Sequence, residues 1–294
     1  REDERRWQLH RGNVDAGRAA ADDVHARDAP DSVGDPRTAT AREAGALTLD
    51  HFRRFRDIEI GVKGPGDFVS DADRDSETLI RERLLGQYPW GLTGEEFAPV
   101  EGADQDHRWL VDPIDGTTNF LFGQHYTITI ALRRGNETIC GLVYNPVSDE
   151  MFITIKGDGA YLNGERLRVN ASTDVALMCV GTGLPTPNLQ LYPRAYQRLD
   201  AIRAPIGAVR VVGSAANSCA YVACGRLTGY YEETGFVGTA GGILLGQEAG
   251  GIVTDWWGRG PEFYEKTGTL IVANAATHAY LMGHLRGVSP KNPS

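Results

Sequence analysis

The stretch from His107 to Gly123, "HRWLVDPIDGTTNFLFG", decides how the rest of the chain is read. An apolar run, Trp109 to Val111, ends in two aspartates three residues apart, Asp112 and Asp115, with Pro113 between them. A short buried strand over "RWLVD" would fix the first carboxylate, and the proline would stiffen the turn. The second carboxylate would then face the same cavity. Gly116 and Thr117 follow with backbone N–H groups in a loop that an anion can approach closely. Such a pair suits Mg2+, a hard cation that binds through one or two carboxylates plus water and phosphate oxygens. Taken alone the tetrapeptide is weak, because Asp-Pro and Asp-Gly pairs also form ordinary surface turns.

With 294 residues the chain makes one large domain or two fused ones and can bury a core without disulfides or metal staples. A hydrophobic fraction of 41% with 23% charged residues is ordinary for a soluble globular protein. The net charge of −9 argues against general nucleic-acid binding, which needs a concentrated basic surface. No apolar run reaches the length of a membrane span. Cys140, Cys179, Cys219 and Cys224 lack a zinc spacing and read as free thiols of a reducing, cytoplasmic compartment. The chain opens on "REDERRWQLHRG" without Met or a signal peptide, so a trimmed start is expected.

Outward from the motif, residues 1–38 read as a solvated extension. "TATAREAGALTLDHFRRF" predicts a helix with Ala44, Leu47 and Phe52 as its apolar residues. "KGPGDFVSDAD" is a turn-rich loop into a second helix, "DADRDSETLIRERLLGQYP", where Ile80 and Leu84 share a face. "YTITIALRR" alternates as a strand with Ile128, Ile130 and Leu132 on one face. "RGNE" turns into "TICGLVYNP", and "EMFITIKGDGAYLNGERL" adds two more strands. Past the connector "GTGLPTPN", "GSAANSCAYVACGRL" and "TAGGILLGQEAGG" read as small-residue helices on a sheet, and "LIVANA" as a late strand. Helices and strands in blocks predict a layered α/β (α+β) architecture in two packed halves, roughly 40–170 and 171–290.

The opening motif has company. "DFVSDAD" and "GLTGEEF" precede it, and "YYEETGFVGTAGGILLGQEAGG" follows it. With "WLVDPIDGTTNF", these ordered blocks make the chain, from about residue 40 to 286, resemble the inositol monophosphatase family. That family comprises Mg2+-dependent, lithium-sensitive phosphomonoesterases, and the resemblance implies its αβαβα layering. It further implies metal ligation by Glu95, Asp112, Asp115 and the Ile114 carbonyl. Asp73 and Thr117 match the pair that orients the nucleophilic water, with Glu95 beside them in catalysis, and the Gly116 and Thr117 amides match the phosphate cradle. Lys63, Ala215, Glu232 and Glu233 fall on the substrate side. "TTNF" favours the inositol-phosphate branch, since relatives acting on nucleotide bisphosphates tend to carry Lys-Glu at Thr118-Asn119. The implied reaction is hydrolysis of a phosphate monoester of a small polyol, an inositol, another cyclitol or a sugar phosphate. Two or more Mg2+ ions, a homodimer and a small phosphorylated substrate are implied with it, and neither nucleic acid nor membrane as partner.

Other residues carry plainer expectations. Asp71 and Asp75 suit the acidic start of a helix, and Glu96 a solvated neighbour of Glu95. His107 and His125 lie outside any metal spacing and are expected to be structural. Trp256 and Trp257 in "TDWWGRG" are expected in a turn packed on the core.

One departure stands out. The family has Trp-Asp-x-Ala-Ala-Gly before the "EAGG" helix, and counting back from "EAGG" places Val237 and Gly238 at the Trp and Asp positions. The stretch from Glu232 to Gly238 is also one residue short. Without that acid the resemblance leaves a second metal only Asp112 and Asp115. Glu232 or Glu233 could supply the missing carboxylate, or water and substrate phosphate could. The alternative is a catalytically altered relative that binds a phosphorylated ligand or performs a different reaction.

Overall fold

The computed structural model describes residues 35–54, 60–64, 67–184, 192–260 and 263–288. Helix α1 (Pro36–Arg53) starts where Asp35 accepts from the Arg37 N–H and proline takes the first helical position. It thus begins inside the stretch expected to be an extension, of which residues 1–34 lie outside the described residues. An antiparallel hairpin, β1 (Ile60–Gly64) and β2 (Asp67–Ser70), delivers Ser70 to the start of α2 (Asp71–Gln87). There the Ser70 N–H and hydroxyl both donate to the Asp73 carboxylate, at 2.7 and 2.6 Å, a capping box that holds the helix entry.

The first sheet has seven strands in the order β3 (Trp90–Thr93), β4 (Asp104–Asp115), β5 (Thr127–Arg134), β6 (Glu137–Asn145), β7 (Glu150–Ile155), β8 (Gly159–Leu162) and β9 (Glu165–Arg166). Only β3 and β4 pair in parallel. A five-residue helix, α3 (Thr117–Leu121), links β4 to β5. The expected short strand over "RWLVD" is therefore the apolar end of a twelve-residue one. Its polar start went unread because His107 and Arg108 pair with Arg134 and Arg133, a charged edge with no apolar alternation. The two strands expected after Glu150 are three, the last only two residues long.

The second sheet draws on β10 (Cys179–Thr182), β11 (Ala208–Val211), β12 (Gly229–Glu233), β13 (Ile252–Thr254) and β14 (Thr269–Ala273), in the order β11-β10-β12-β14-β13. Its helices are α4 (Tyr192–Arg203), α5 (Ala215–Ala223), α6 (Ala240–Glu248), α7 (Tyr264–Thr267) and α8 (Ala275–Leu285).

Each layer follows from which faces are apolar. Ala44 of α1 and Ile80 and Leu84 of α2 bury against Ile128, Ile130 and Leu132 of β5, on one face of the first sheet. Helices α5 and α6 fill the space between the sheets. Ala216, Ala220 and Leu245 meet Val143 and Phe152 on one side, while Cys219 and Ile243 meet Tyr230 and Val272 on the other. Small residues permit this close approach: a Cβ on Gly141 of β6 would lie 2.6 Å from the Gly241 Cα of α6. Ile202 of α4 and Leu281 and Leu285 of α8 close the outer face of the second sheet with Ile271. The result is the αβαβα order expected from the sequence. Among the described residues no helix is long and apolar enough to cross a membrane.

Trp256 is fully buried in its turn beneath the Arg198 guanidinium, 4.1 Å from the ring centre. His107 pairs with Asp104 at 2.8 Å and His125 with Asn145 at 3.2 Å, which are structural roles. All four cysteines are free.

Candidate functional site

The strand carrying Asp112 and Asp115 would normally send residues three apart to opposite faces. Here the ladder slips: Asp112 pairs with Thr129 and Asp115 with Thr127, so β4 spends one residue more than β5. The extra residue falls at the Pro113 segment, where the missing N–H already weakens the ladder. Both carboxylates consequently reach the same cavity, of about 400 Å3.

Asp112 is 6% exposed, and its Oδ1 accepts from the Ile114 N–H at 3.1 Å. Burial pushes its carboxyl well above the usual carboxylate range, and the facing Glu95, Asp115 and Asp73 carboxylates push it further. Asp115 stands at the start of α5. Its Oδ2 accepts from the Ser214 hydroxyl at 2.5 Å, the Ala216 N–H at 2.8 Å and the Thr127 hydroxyl at 3.1 Å, while Oδ1 accepts from the Ala215 N–H at 3.2 Å. Asp115 is thus a helix-capping residue as well as a cavity residue, with Oδ1 its less engaged oxygen.

Glu95 reaches Asp112 because a residue not singled out from the sequence, Glu77 of α2, fixes the loop that carries it. The Glu77 carboxylate is fully buried and accepts from the Glu96 N–H at 2.7 Å, the Phe97 N–H at 3.3 Å and the Arg81 Nε at 2.7 Å. Arg81 then donates onward to the Phe97 and Ala98 carbonyls, each at 3.1 Å. Gly94 lies so close that a Cβ would stand 2.1 Å from Glu77 Oε1, which explains the glycine of "GEE". The sequence did hold a trace of this: Glu77 and Arg81 are four apart, the spacing of a helical ion pair.

Asp73, 1% exposed, meets Thr117, the Thr117 hydroxyl lying 3.3 Å from Asp73 Oδ1 and 3.2 Å from the Ile114 carbonyl. Gly116 precedes α3 in the left-handed region, φ 97°, and lines the cavity with Thr117 and Ile114. Among the described residues no three His, Cys, Asp or Glu side chains are gathered closely enough to hold a metal ion as they stand. Mg2+ needs fewer, taking one or two carboxylates with water and phosphate making up the rest. The Glu95–Asp112 pair with the adjacent Ile114 carbonyl fits that demand. A cation between the two carboxylates would relieve the repulsion that raises Asp112.

On the opposite wall Ala215 lines the cavity, as do residues 234–239. Glu232 and Glu233 do not. They line a small neighbouring cleft with Gly183, Arg198 and Trp256. Burial pushes the Glu232 carboxyl up to about 7, opposed by the Tyr230 hydroxyl that donates to it. Glu233 accepts from Arg198 at 2.8 Å. That ion pair engages one of the two acids, Glu232 and Glu233, that could supply the missing carboxylate. Position 238 does face the site: a Cβ there would come within 2.4 Å of Asp112 Oδ2. The Lys63 side chain lies outside the described residues, as do residues 185–188 of the connector and 189–191 after it.

The model of the "Inositol monophosphatase family" matches residues 30–289. The "Inositol-1-monophosphatase" of Rhizobium meliloti (strain 1021) is 38% identical over 235 residues, 79% of this chain and 88% of that protein. The "Nus factor SuhB" of Pasteurella multocida (strain Pm70) is 36% identical over 240 residues, with the same two coverages of 79% and 88%. Among solved structures, the extragenic suppressor protein suhB from Bartonella henselae superposes with a TM-score of 0.82 at 33% identity, covering 85% of this chain and 97% of that one.

Proposed function

The chain belongs to the inositol monophosphatase family, a phosphatase family, and from that premise we propose that it hydrolyses the phosphate monoester of a small polyol, a cyclitol or sugar phosphate, by attack of water. The observation that carries this reading is the convergence of Glu95, Asp112, Asp115 and Thr117 on one cavity beside the Gly116–Thr117 backbone, with the buried Asp73 behind Thr117.

Glu95, Asp112 and the Ile114 carbonyl would hold Mg2+, which supplies Lewis-acid charge to the phosphate and to the leaving alkoxide. The chain's own residues do the positioning. With the Ile114 carbonyl engaged by the cation, the Thr117 hydroxyl would turn its proton to Asp73 Oδ1, leaving its lone pairs to accept from the attacking water, and Asp73 would take the proton. The Gly116 and Thr117 amides donate to phosphate oxygens. Asp115, through its less engaged Oδ1, would serve with Asp112 at a second Mg2+, Ala215 at the start of α5 would meet the polyol, and Glu232 in the adjoining cleft would be a further acceptor. A cytoplasmic homodimer belongs to the same proposal.

A second reading is supported by Gly238 and by the relatives named as Nus factors. Gly238 stands where the resemblance implies an acid, and Glu233 is paired with Arg198. On this reading the chain keeps the pocket for binding and has lost the hydrolytic step. Phosphate release from a panel of cyclitol, sugar and nucleotide phosphates with Mg2+, measured for the native chain, Gly238→Asp and Asp112→Asn, separates the two. Release by the native chain that Asp112→Asn abolishes supports the phosphatase. Silence from the native chain on every substrate, with release restored in Gly238→Asp, establishes the second reading instead.

A further inference from the structure

The loop from Thr234 to Thr239 walls the catalytic cavity and brings Gly238 against Asp112, yet it carries no charged side chain. Its shape is imposed from behind. Phe236 is the partition between the catalytic cavity and a second, larger cavity of about 590 Å3. At the end of β5, Arg133 holds its guanidinium 5.1 Å from the centre of the Phe236 ring. Both terminal nitrogens of Arg133 donate to Glu265 in α7, Nη2 to Oε2 at 2.7 Å, across 132 residues of sequence. From the other side the Tyr264 hydroxyl lies 2.9 and 2.7 Å from the Thr234 and Gly235 carbonyls and 3.0 Å from the Thr239 hydroxyl.

We infer that Arg133 is a positioning residue: through Phe236 and Glu265 it latches the 234–239 loop against Asp112 and so sets the width of the catalytic cavity. The inference rests on the phosphatase reading only for its kinetic consequence. An Arg–carboxylate pair by itself is a minor contributor when half-exposed, and Glu265 is 38% exposed. Arg133 differs from such a pair because it is only 15% exposed and is spent twice, on the carboxylate and on the ring. Its planar fork matches both, which an ammonium cannot. The pair also joins the first sheet to an element of the second half, so the loop is braced from outside its own fold layer.

Amide hydrogen exchange at Thr239 and Ala240 reads the latch directly, since both N–H groups donate to the Phe236 carbonyl, at 3.1 and 3.0 Å. Arg133→Met, which keeps length and loses charge, is expected to speed exchange there about tenfold, the combined worth of an ion pair and a cation–π contact. Amides of β6 should keep their native rates, and Arg133→Lys should recover part of the loss. In a Phe236→Leu background, Arg133→Met should add little, because the residue acts through the ring. If Arg133→Met does not fold, Glu265→Gln is measured in the same way. In phosphate release, Arg133→Met should raise KM several-fold with kcat nearly kept. Native exchange rates at residues 239 and 240 in the variants, full additivity with Phe236→Leu, or faster exchange with an unchanged KM would each overturn the inference. Faster exchange in chains that release no phosphate, the native one included, would leave the latch standing and remove the phosphatase reading.

Discussion

Glu77→Gln tests how the site is built. In the native chain two carboxylate oxygens satisfy three donors: Oε1 takes the Arg81 Nε and the Phe97 N–H, and Oε2 takes the Glu96 N–H. A glutamine keeps the shape and one acceptor, but its amide nitrogen must face one of those donors. A hydrogen bond to a charged group contributes about 1.5–3 kcal/mol, and a buried backbone N–H left without a partner costs about 1–3 kcal/mol. Together these give about 3–5 kcal/mol, the range found when a buried ion pair loses one partner. Arg81 is 12% exposed, so solvent repairs little of the loss. In a chain of this size such a loss lowers the thermal midpoint by on the order of 10 °C. The loop freed by the change carries Glu95, so Mg2+ affinity should also fall, about tenfold as for other residues that orient a ligand. Thermal melts followed by circular dichroism, with and without Mg2+, measure both effects. A variant that melts within about 2 °C of the native chain and keeps its Mg2+ response would refute this account of the Glu95 loop.

Two further changes probe the opposite wall. Ser214→Ala removes both the Asn217 cap of α5 and the 2.5 Å donor to Asp115; unfolding in urea should cost about 1 kcal/mol for the cap, with phosphate release falling more than stability does. Glu232→Gln should flatten a pH dependence. The folded-state value of about 7 lies above that of the unfolded chain, so Glu232 contributes most to stability while protonated and loses that contribution as pH rises from the usual carboxylate range through about 7. The variant's melting point should therefore gain on the native one across that window, and a constant difference from pH 4.5 to 8 would contradict the assignment.

Much of the fold was legible because it rests on short-range periodicity. Ile128, Ile130 and Leu132 alternate, and all three enter one core; Ile80 and Leu84 recur at helical spacing and do the same. Strands β10 and β11 and helix α4 were not read, since "CVGT" and "AVRV" are four residues each and α4 is largely polar. The site was legible as motifs and illegible as geometry. Nothing local announces that β4 gains a residue at Pro113, because register is settled by the partner strand. Glu77 hid in a highly charged helix, and its burial depends on Gly94, seventeen residues later. Arg133 looked like the tail of a strand until Glu265 and Phe236 closed on it. Glu233, legible as a spare acid, is committed to Arg198, a partner in a helix the sequence did not reveal.

Calorimetric titration of Mg2+ into the metal-free chain tests the proposed divalent-cation centre of Glu95 and Asp112 without knowledge of the substrate. Saturable binding by the native chain is expected, weakened at least about tenfold in both Asp112→Asn and Glu95→Gln. Equal binding by all three chains, or none by the native one, would contradict it.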